Sequence, residues 1–98
     1  MQVLERVIEQ KVTEYAEALG VLQLKVNIIG RRGWPDRIYL YKGRVLFIEF
    51  KAPEEEPRKL QLYIHNILRA NGFEVEVVDD EDEGKAAIDQ LTRPISGA

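Results

Sequence analysis

Gly33-Trp34-Pro35-Asp36-Arg37-Ile38-Tyr39-Leu40-Tyr41-Lys42-Gly43-Arg44-Val45-Leu46-Phe47-Ile48-Glu49-Phe50-Lys51 is the stretch on which the fold turns. Gly33 and Pro35 interrupt regular structure and mark the end of a loop. Asp36 to Tyr41 and Arg44 to Phe50 are rich in aliphatic and aromatic residues, and Lys42-Gly43 between them carries the glycine that tight hairpin turns favour. The segment therefore reads as a β-hairpin. Counting back from its turn sets Asp36 opposite Glu49. Glu49 and Lys51 stand two apart, so they point to one face of the strand while Phe50 turns to the core.

Two carboxylates at one end of a two-stranded ribbon repel each other unless a proton or cation is shared between them. A hard divalent ion with oxygen ligands meets that need, and Mg²⁺ commonly takes one or two carboxylates together with water and phosphate oxygens. Such an ion polarises a scissile phosphate and helps to make hydroxide from water. Lys51 would then hold the attacking water or stabilise charge in the transition state. These pieces suit phosphodiester hydrolysis. The plainer alternative is a surface ion-pair cluster, with Asp36 and Glu49 simply flanked by Lys51, Arg37 and Arg32.

Outward from the hairpin, the first twenty residues read as an amphipathic helix. Leu4, Val7, Ile8, Val12, Tyr15, Ala16 and Leu19 fall along one face, and Gly20 stops it. Val21 to Ile29 reads as a strand, and Gly30 to Pro35 as a loop. After the proline-bounded acidic loop Ala52 to Pro57, a second helix is expected from Pro57 or Arg58 to Ala70. Its buried stripe would be Leu60, Ile64, Ile67 and Leu68, with Asn71-Gly72 as its C-cap. Phe73 to Val78 is the next strand. The acidic run Asp79 to Glu83 is expected as a loop before a last helix with Ala86, Ala87, Ile88 and Leu91. The order is thus α-β-β-β-α-β-α, an α/β fold. The first three strands would form an antiparallel meander, with the strand from Phe73 parallel to a neighbour after its helical crossover.

Ninety-eight residues make one domain, spanning 1–98. The apolar share of 45% and charged share of 32% are those of a globular protein. No cysteine is present, which excludes disulfides, thiolate metal sites and thiol nucleophiles. No apolar run approaches the roughly 18 residues of a membrane span and no secretory signal opens the chain, so a cytoplasmic location is expected. The net charge of -3 hides an asymmetry. Arg31 to Arg69 holds nine Lys/Arg against five Asp/Glu, while the remainder holds five against twelve. One positive face for phosphates is compatible with that distribution.

Gly33-x-Pro35-Asp36-Arg37, the apolar strand ending in Glu49-Phe50-Lys51, and Gln61 in the following helix resemble the PD-(D/E)xK nuclease superfamily. More narrowly, the chain resembles its virus-type replication–repair nuclease (VRR-NUC) domain in the small stand-alone phage form, over nearly the whole length. The resemblance implies a restriction-endonuclease-like core with a mixed sheet flanked by helices. It also implies metal ligation by Asp36, Glu49 and the backbone carbonyl of Phe50, with Mg²⁺ or Mn²⁺ as the ion. Lys51 would be the catalytic lysine and Gln61 would organise the site. A first-helix glutamate joins them, Glu5 by choice and Glu9, one turn on, as the alternative. Members of this type are implied to be homodimers that cut branched DNA, four-way (Holliday) junctions among them. Flap, nicking or duplex cleavage, and a non-catalytic DNA-binding module that keeps the fold, are the alternatives.

Arg31, Arg32 and Arg37 flank the loop and suit phosphate contacts. Trp34 would cap the core beside Pro35, with stacking on an unpaired base as the alternative. His65 falls one turn after Gln61 and so near the site, although a surface or half-buried histidine is the simpler expectation. Glu54-Glu55-Glu56 is a departure from the family pattern, an acidic loop where phosphate has to pass. The run from Asp79 to Glu83 lacks the alternation and central glycine of a calcium loop.

Overall fold

A computed structural model describes residues 3–94. Helix α1 covers Val3–Ala18, strands β1, β2 and β3 cover Leu22–Lys25, Arg37–Tyr41 and Arg44–Phe50, helix α2 covers Lys59–Ala70, β4 covers Glu74–Val78 and α3 covers Glu81–Thr92. The strands lie in the order β1-β2-β3-β4. The first three pair antiparallel and β4 joins β3 in parallel. The meander, the parallel fourth strand and the α-β-β-β-α-β-α order all match the sequence reading.

The hairpin register is the one its turn dictates. Lys42 and Gly43 both have positive φ, at 47° and 82°, as a primed two-residue turn requires. Tyr41 pairs with Arg44 and Arg37 with Ile48, so the next step along the ribbon brings Asp36 to Glu49.

Alternation along β3 divides its side chains between two cores. Leu46, Ile48 and Phe50 join Val12 and Ala16 of α1, Tyr39, Val78, and Ile88 and Leu91 of α3. On the other face Phe47 packs with Val75, with Leu68 and Ile64 of α2, and with Trp34. Helices α1 and α3 therefore cover one side of the sheet and α2 the other. Glu49 and Lys51 continue the Phe47 side, beyond the edge of that smaller core. Trp34 rests against Phe47, with ring centroids 6.4 Å apart, which is the capping role expected of it.

Four expectations need correction. The strand expected over 21–29 ends at Lys25: the last cross-strand bond is Val26 N–H to the Asp36 carbonyl at 2.9 Å, and Ile29 is 97% exposed. The buried face of α1 is turned toward Glu9, Val12, Thr13 and Ala16, leaving Leu4, Val7 and Leu19 exposed. In α2 the buried positions are Gln61, His65 and Leu68, while Leu60 and Ile67 are exposed. Helix α3 begins inside the acidic run, with the Asp80 side chain accepting from Glu83 N–H at 3.0 Å as its N-cap. Glu81, Asp82 and Glu83 then occupy the first turn, where the helix dipole favours negative charge. Among the described residues no helix is long and apolar enough to cross a membrane.

Candidate active site

The end of the hairpin away from its turn is where charge is buried. Glu49 and Lys51 are 2% and 6% exposed, an arrangement that is costly unless the groups are paired or put to use. The backbone fixes both positions. Phe50 N–H donates to Asp36 Oδ2 at 2.6 Å, and Lys51 N–H donates to the Val78 carbonyl at 2.9 Å. Thus the strand carrying the glutamate and lysine is tied to the aspartate on one side and to β4 on the other.

Helix α2 holds the Glu49 carboxylate from above the sheet face. Gln61 Nε2 donates to Oε2 at 3.1 Å, and His65 Nε2 lies 3.3 Å from Oε1. A carboxylate only accepts, so Nε2 of His65 is the donor of this contact, and among the described residues the buried Nδ1 meets no partner. Gln61 is itself oriented, its Oε1 accepting from Arg58 N–H at 2.8 Å. His65 is fully buried, so it is neither a surface nor a half-buried histidine. Its position four residues after Gln61 was the available signal, since helical side chains at that spacing share a face.

Replacing His65 with phenylalanine puts a slightly larger ring there without a donor and is expected to destabilise the protein by about 2–3 kcal/mol, from the unpaired buried acceptor together with overpacking. His65→Gln, which restores an N–H, should recover part of the loss in thermal melts. A His65→Phe protein as stable as the wild type would remove this contact from the account.

A cavity of about 720 Å³ opens over these groups, lined by Asp36, Glu49, Lys51 and Gln61 together with Glu5, Glu55, Glu56 and Arg58. Glu5 of α1 therefore reaches the site cavity. Glu9, the alternative, does not line it: its Oε2 accepts from Lys25 Nζ at 2.7 Å and from Arg37 Nε at 2.5 Å, beside a neighbouring cleft. This pairing also corrects the reading of Arg37. Its guanidinium is half-buried and engaged by Glu9 and by Gln23 Oε1, so it is not a free cation beside the loop. Arg31 and Arg32 are exposed.

Burial, followed by the nearby Glu49 charge, pushes the Asp36 carboxyl up to about 7, against the opposing pull of the Phe50 N–H. A carboxyl raised in this way holds its proton more tightly than a free aspartate does. The donor set fits an oxygen-seeking divalent cation, with Asp36 and Glu49 as its anionic ligands. Among the described residues no three His, Asp or Glu side chains close into a cage, so such an ion would retain water.

The raised value has a sign that can be tested. Between the ordinary 3.8 and about 7 the unfolded chain releases a proton that the folded chain keeps, so metal-free protein loses stability as pH rises through that window. Asp36→Asn keeps an acceptor for Phe50 N–H and removes the charge. It should raise metal-free stability at pH 8 by on the order of 1–2 kcal/mol, after allowance for solvent screening at this partly open group. Added Mn²⁺ should raise the wild-type Tm at pH 8 and leave that of Asp36→Asn in place. Lower metal-free stability of Asp36→Asn at pH 8 would contradict the charge argument.

No family model matches the chain. Over 76 residues it is 40% identical to "Putative nuclease p44" of Acyrthosiphon pisum secondary endosymbiont phage 1, covering 76% of this chain and 82% of that protein. Among solved structures it is similar to one described as "VRR_NUC domain", at 31% identity and a TM-score of 0.82, over 90% of this chain and 97% of the other.

Proposed function

Since the chain belongs to the VRR-NUC family, we propose that it is a single-domain, metal-dependent DNA endonuclease that hydrolyses phosphodiester bonds, with branched DNA such as four-way junctions as its preferred target. The observation that carries this reading is the convergence of Asp36, Glu49 and Lys51 in one open cavity, with Gln61 and His65 each holding an oxygen of Glu49. A fixed carboxylate pair beside a buried ammonium is poor surface design and good phosphate chemistry.

Asp36 and Glu49 would hold Mg²⁺ or Mn²⁺, with the Phe50 carbonyl as the further ligand. Bound there, the ion would supply Lewis-acid polarisation of the scissile phosphate. Gln61 and His65 keep the Glu49 carboxylate from rotating away, so its remaining lone pairs stay aimed at the cavity. Lys51 offers an ammonium beside the reacting phosphate, where it orients water or stabilises the charge that grows in the transition state. Glu5, which also lines the cavity, would be a further carboxylate for water or cation. Arg31 and Arg32 would contact the DNA backbone without reading sequence.

The protein would work as a homodimer in the cytoplasm, that of the host cell if it is phage-encoded. Supporting the dimer, α1 exposes Val3, Leu4 and Val7, and the edge strand β1 exposes Leu22 and Leu24. Apolar area of that kind on so small a domain suits a two-fold contact, which would present two sites to a junction of matching symmetry.

The experiment is cleavage of a labelled four-way junction, with flap, nicked and linear duplex of the same sequence, in Mg²⁺, Mn²⁺ or EDTA. Metal-dependent cuts concentrated in the junction are expected. Equal cutting of linear duplex would replace the branched-DNA preference with a general endonuclease. Binding without cleavage in either metal would leave a DNA-binding module.

A further inference from the structure

We infer that Arg32 and Arg58 together form a phosphate-binding subsite beside the carboxylates, holding the backbone phosphate next to the one that is cut. The inference rests on the nuclease reading above and adds to it the path of the strand. Beside the main cavity lies a second cleft of about 160 Å³, lined by Arg32, Gly33, Arg58, Leu60 and Gln61. The two spaces share Arg58 and Gln61, so they adjoin across that pair.

The cleft is built by a close approach between two distant parts of the chain. Gly33 has φ +86°, and a Cβ there would lie 2.8 Å from Leu60 Cγ and 3.0 Å from the Leu60 carbonyl oxygen. Only a glycine lets the loop sit so tightly on the first turn of α2. That contact sets Arg32, from the loop, and Arg58, from the start of α2, around one space. Arg58 is also keyed to the site through its backbone, since its N–H orients the Gln61 that holds Glu49.

Electrostatics gives the strand a direction. The main cavity is bordered by Glu5 and Glu56 as well as by Arg58. A polyanion is repelled along the glutamate border and attracted toward the side where two arginines line one cleft. Arginine suits that task, because its planar fork of donors matches phosphate oxygens. With Arg37 committed to Glu9, Arg58 takes the phosphate role that the sequence suggested for Arg37.

DNA binding by a Lys51→Ala background, measured in Mg²⁺ across a series of salt concentrations, tests the subsite without cleavage of the probe, a labelled four-way junction. Arg32→Ala and Arg58→Ala should each weaken binding about 5- to 10-fold and flatten the plot of log affinity against log salt by about 0.9, the value of one lost phosphate contact on duplex DNA. Arg58→Lys should restore most of the slope. Lys42→Gln, at the far turn of the hairpin, should change neither quantity. Arg32 and Arg58 are exposed, so their variants should melt with the parent. If the background binds and both alanine variants keep its affinity and slope, the subsite is overturned and the nuclease reading stands. If the background does not bind and the wild type cuts no DNA with either metal, both are overturned.

Discussion

Lys51→Ala is expected to slow DNA cleavage by about 10²- to 10³-fold, the loss that follows removal of one transition-state charge stabiliser. The reason lies in where the ammonium is held. Lys51 is 6% exposed, shares its strand face with Glu49, and is anchored by its own N–H to the Val78 carbonyl at 2.9 Å. Its backbone position does not depend on its side chain, so truncation removes the charge and leaves the strand in place. Affinity for uncut DNA should fall far less than kcat, because the proposed interaction strengthens only as charge builds on the reacting phosphate. Lys51→Met, of similar length and without charge, separates the two contributions: it should be as inactive as the alanine variant and closer to wild type in Tm. Full activity in Lys51→Met would sink the assignment of a chemical role to this residue.

The largest stability effect is expected at a residue with no part in the chemistry. Gly84 lies in α3 where the helix crosses α1 and β4, and a Cβ there would come within 2.3 Å of Val12 Cγ2 and 3.1 Å of Val78 Cγ1. Two effects oppose each other in Gly84→Ala. Alanine is favoured over glycine inside a helix by about 1 kcal/mol. Overpacking a closed core costs about 1–3 kcal/mol. The second should win, because Val12 is fully buried and a valine in a helix has one strongly preferred rotamer, so the methyl cannot swing aside. With an approach as close as 2.3 Å the overpacking cost sits at the upper end of that range, about 3 kcal/mol, so the net loss should be about 2 kcal/mol, or roughly 8–16 °C in Tm for a domain of this size. Adding Val12→Ala should recover part of that loss, and a double-mutant cycle measures how much. A rise in Tm for Gly84→Ala alone would show that α3 shifts freely.

The hairpin and its site were legible in the sequence because they are local. A two-residue turn fixes the pairing of everything on either side of it, and Asp36, Glu49 and Lys51 follow from counting. The helices were harder. Reading amphipathicity assumes that the apolar stripe is the buried one, and here both helices on either side of the sheet turn polar groups inward. Glu9 and Thr13 in α1, and Gln61 and His65 in α2, are buried, while Leu4, Val7, Leu60 and Ile67 are exposed. The phase of each stripe differs from the apolar one because these polar groups have partners on the sheet: Glu9 meets Lys25 and Arg37, Thr13 meets the Tyr39 hydroxyl, and Gln61 and His65 meet Glu49. Glu9 shows the same limit. Glu5 and Glu9 are indistinguishable by spacing, and what separates them is Lys25 and Arg37, which arrive from two strands. Arg58 carried no sequence signal of its own, since its place beside Arg32 depends on the close approach at Gly33.

The Lys42-Gly43 turn, far along the ribbon from the carboxylates, makes the chain sensitive to how an odd change in length is absorbed at a point that looks expendable. Strand β3 is held by β4 and by both cores, so a residue added at the turn must be absorbed by a bulge or by a slip of β2. A slip of one would carry Asp36 to the opposite side of the sheet, away from Glu49, and drive Tyr39 out of the interior. An insertion of two would return every side chain to its own side. Parity at this tip, rather than its composition, is what a loop-grafting or tagging design has to respect.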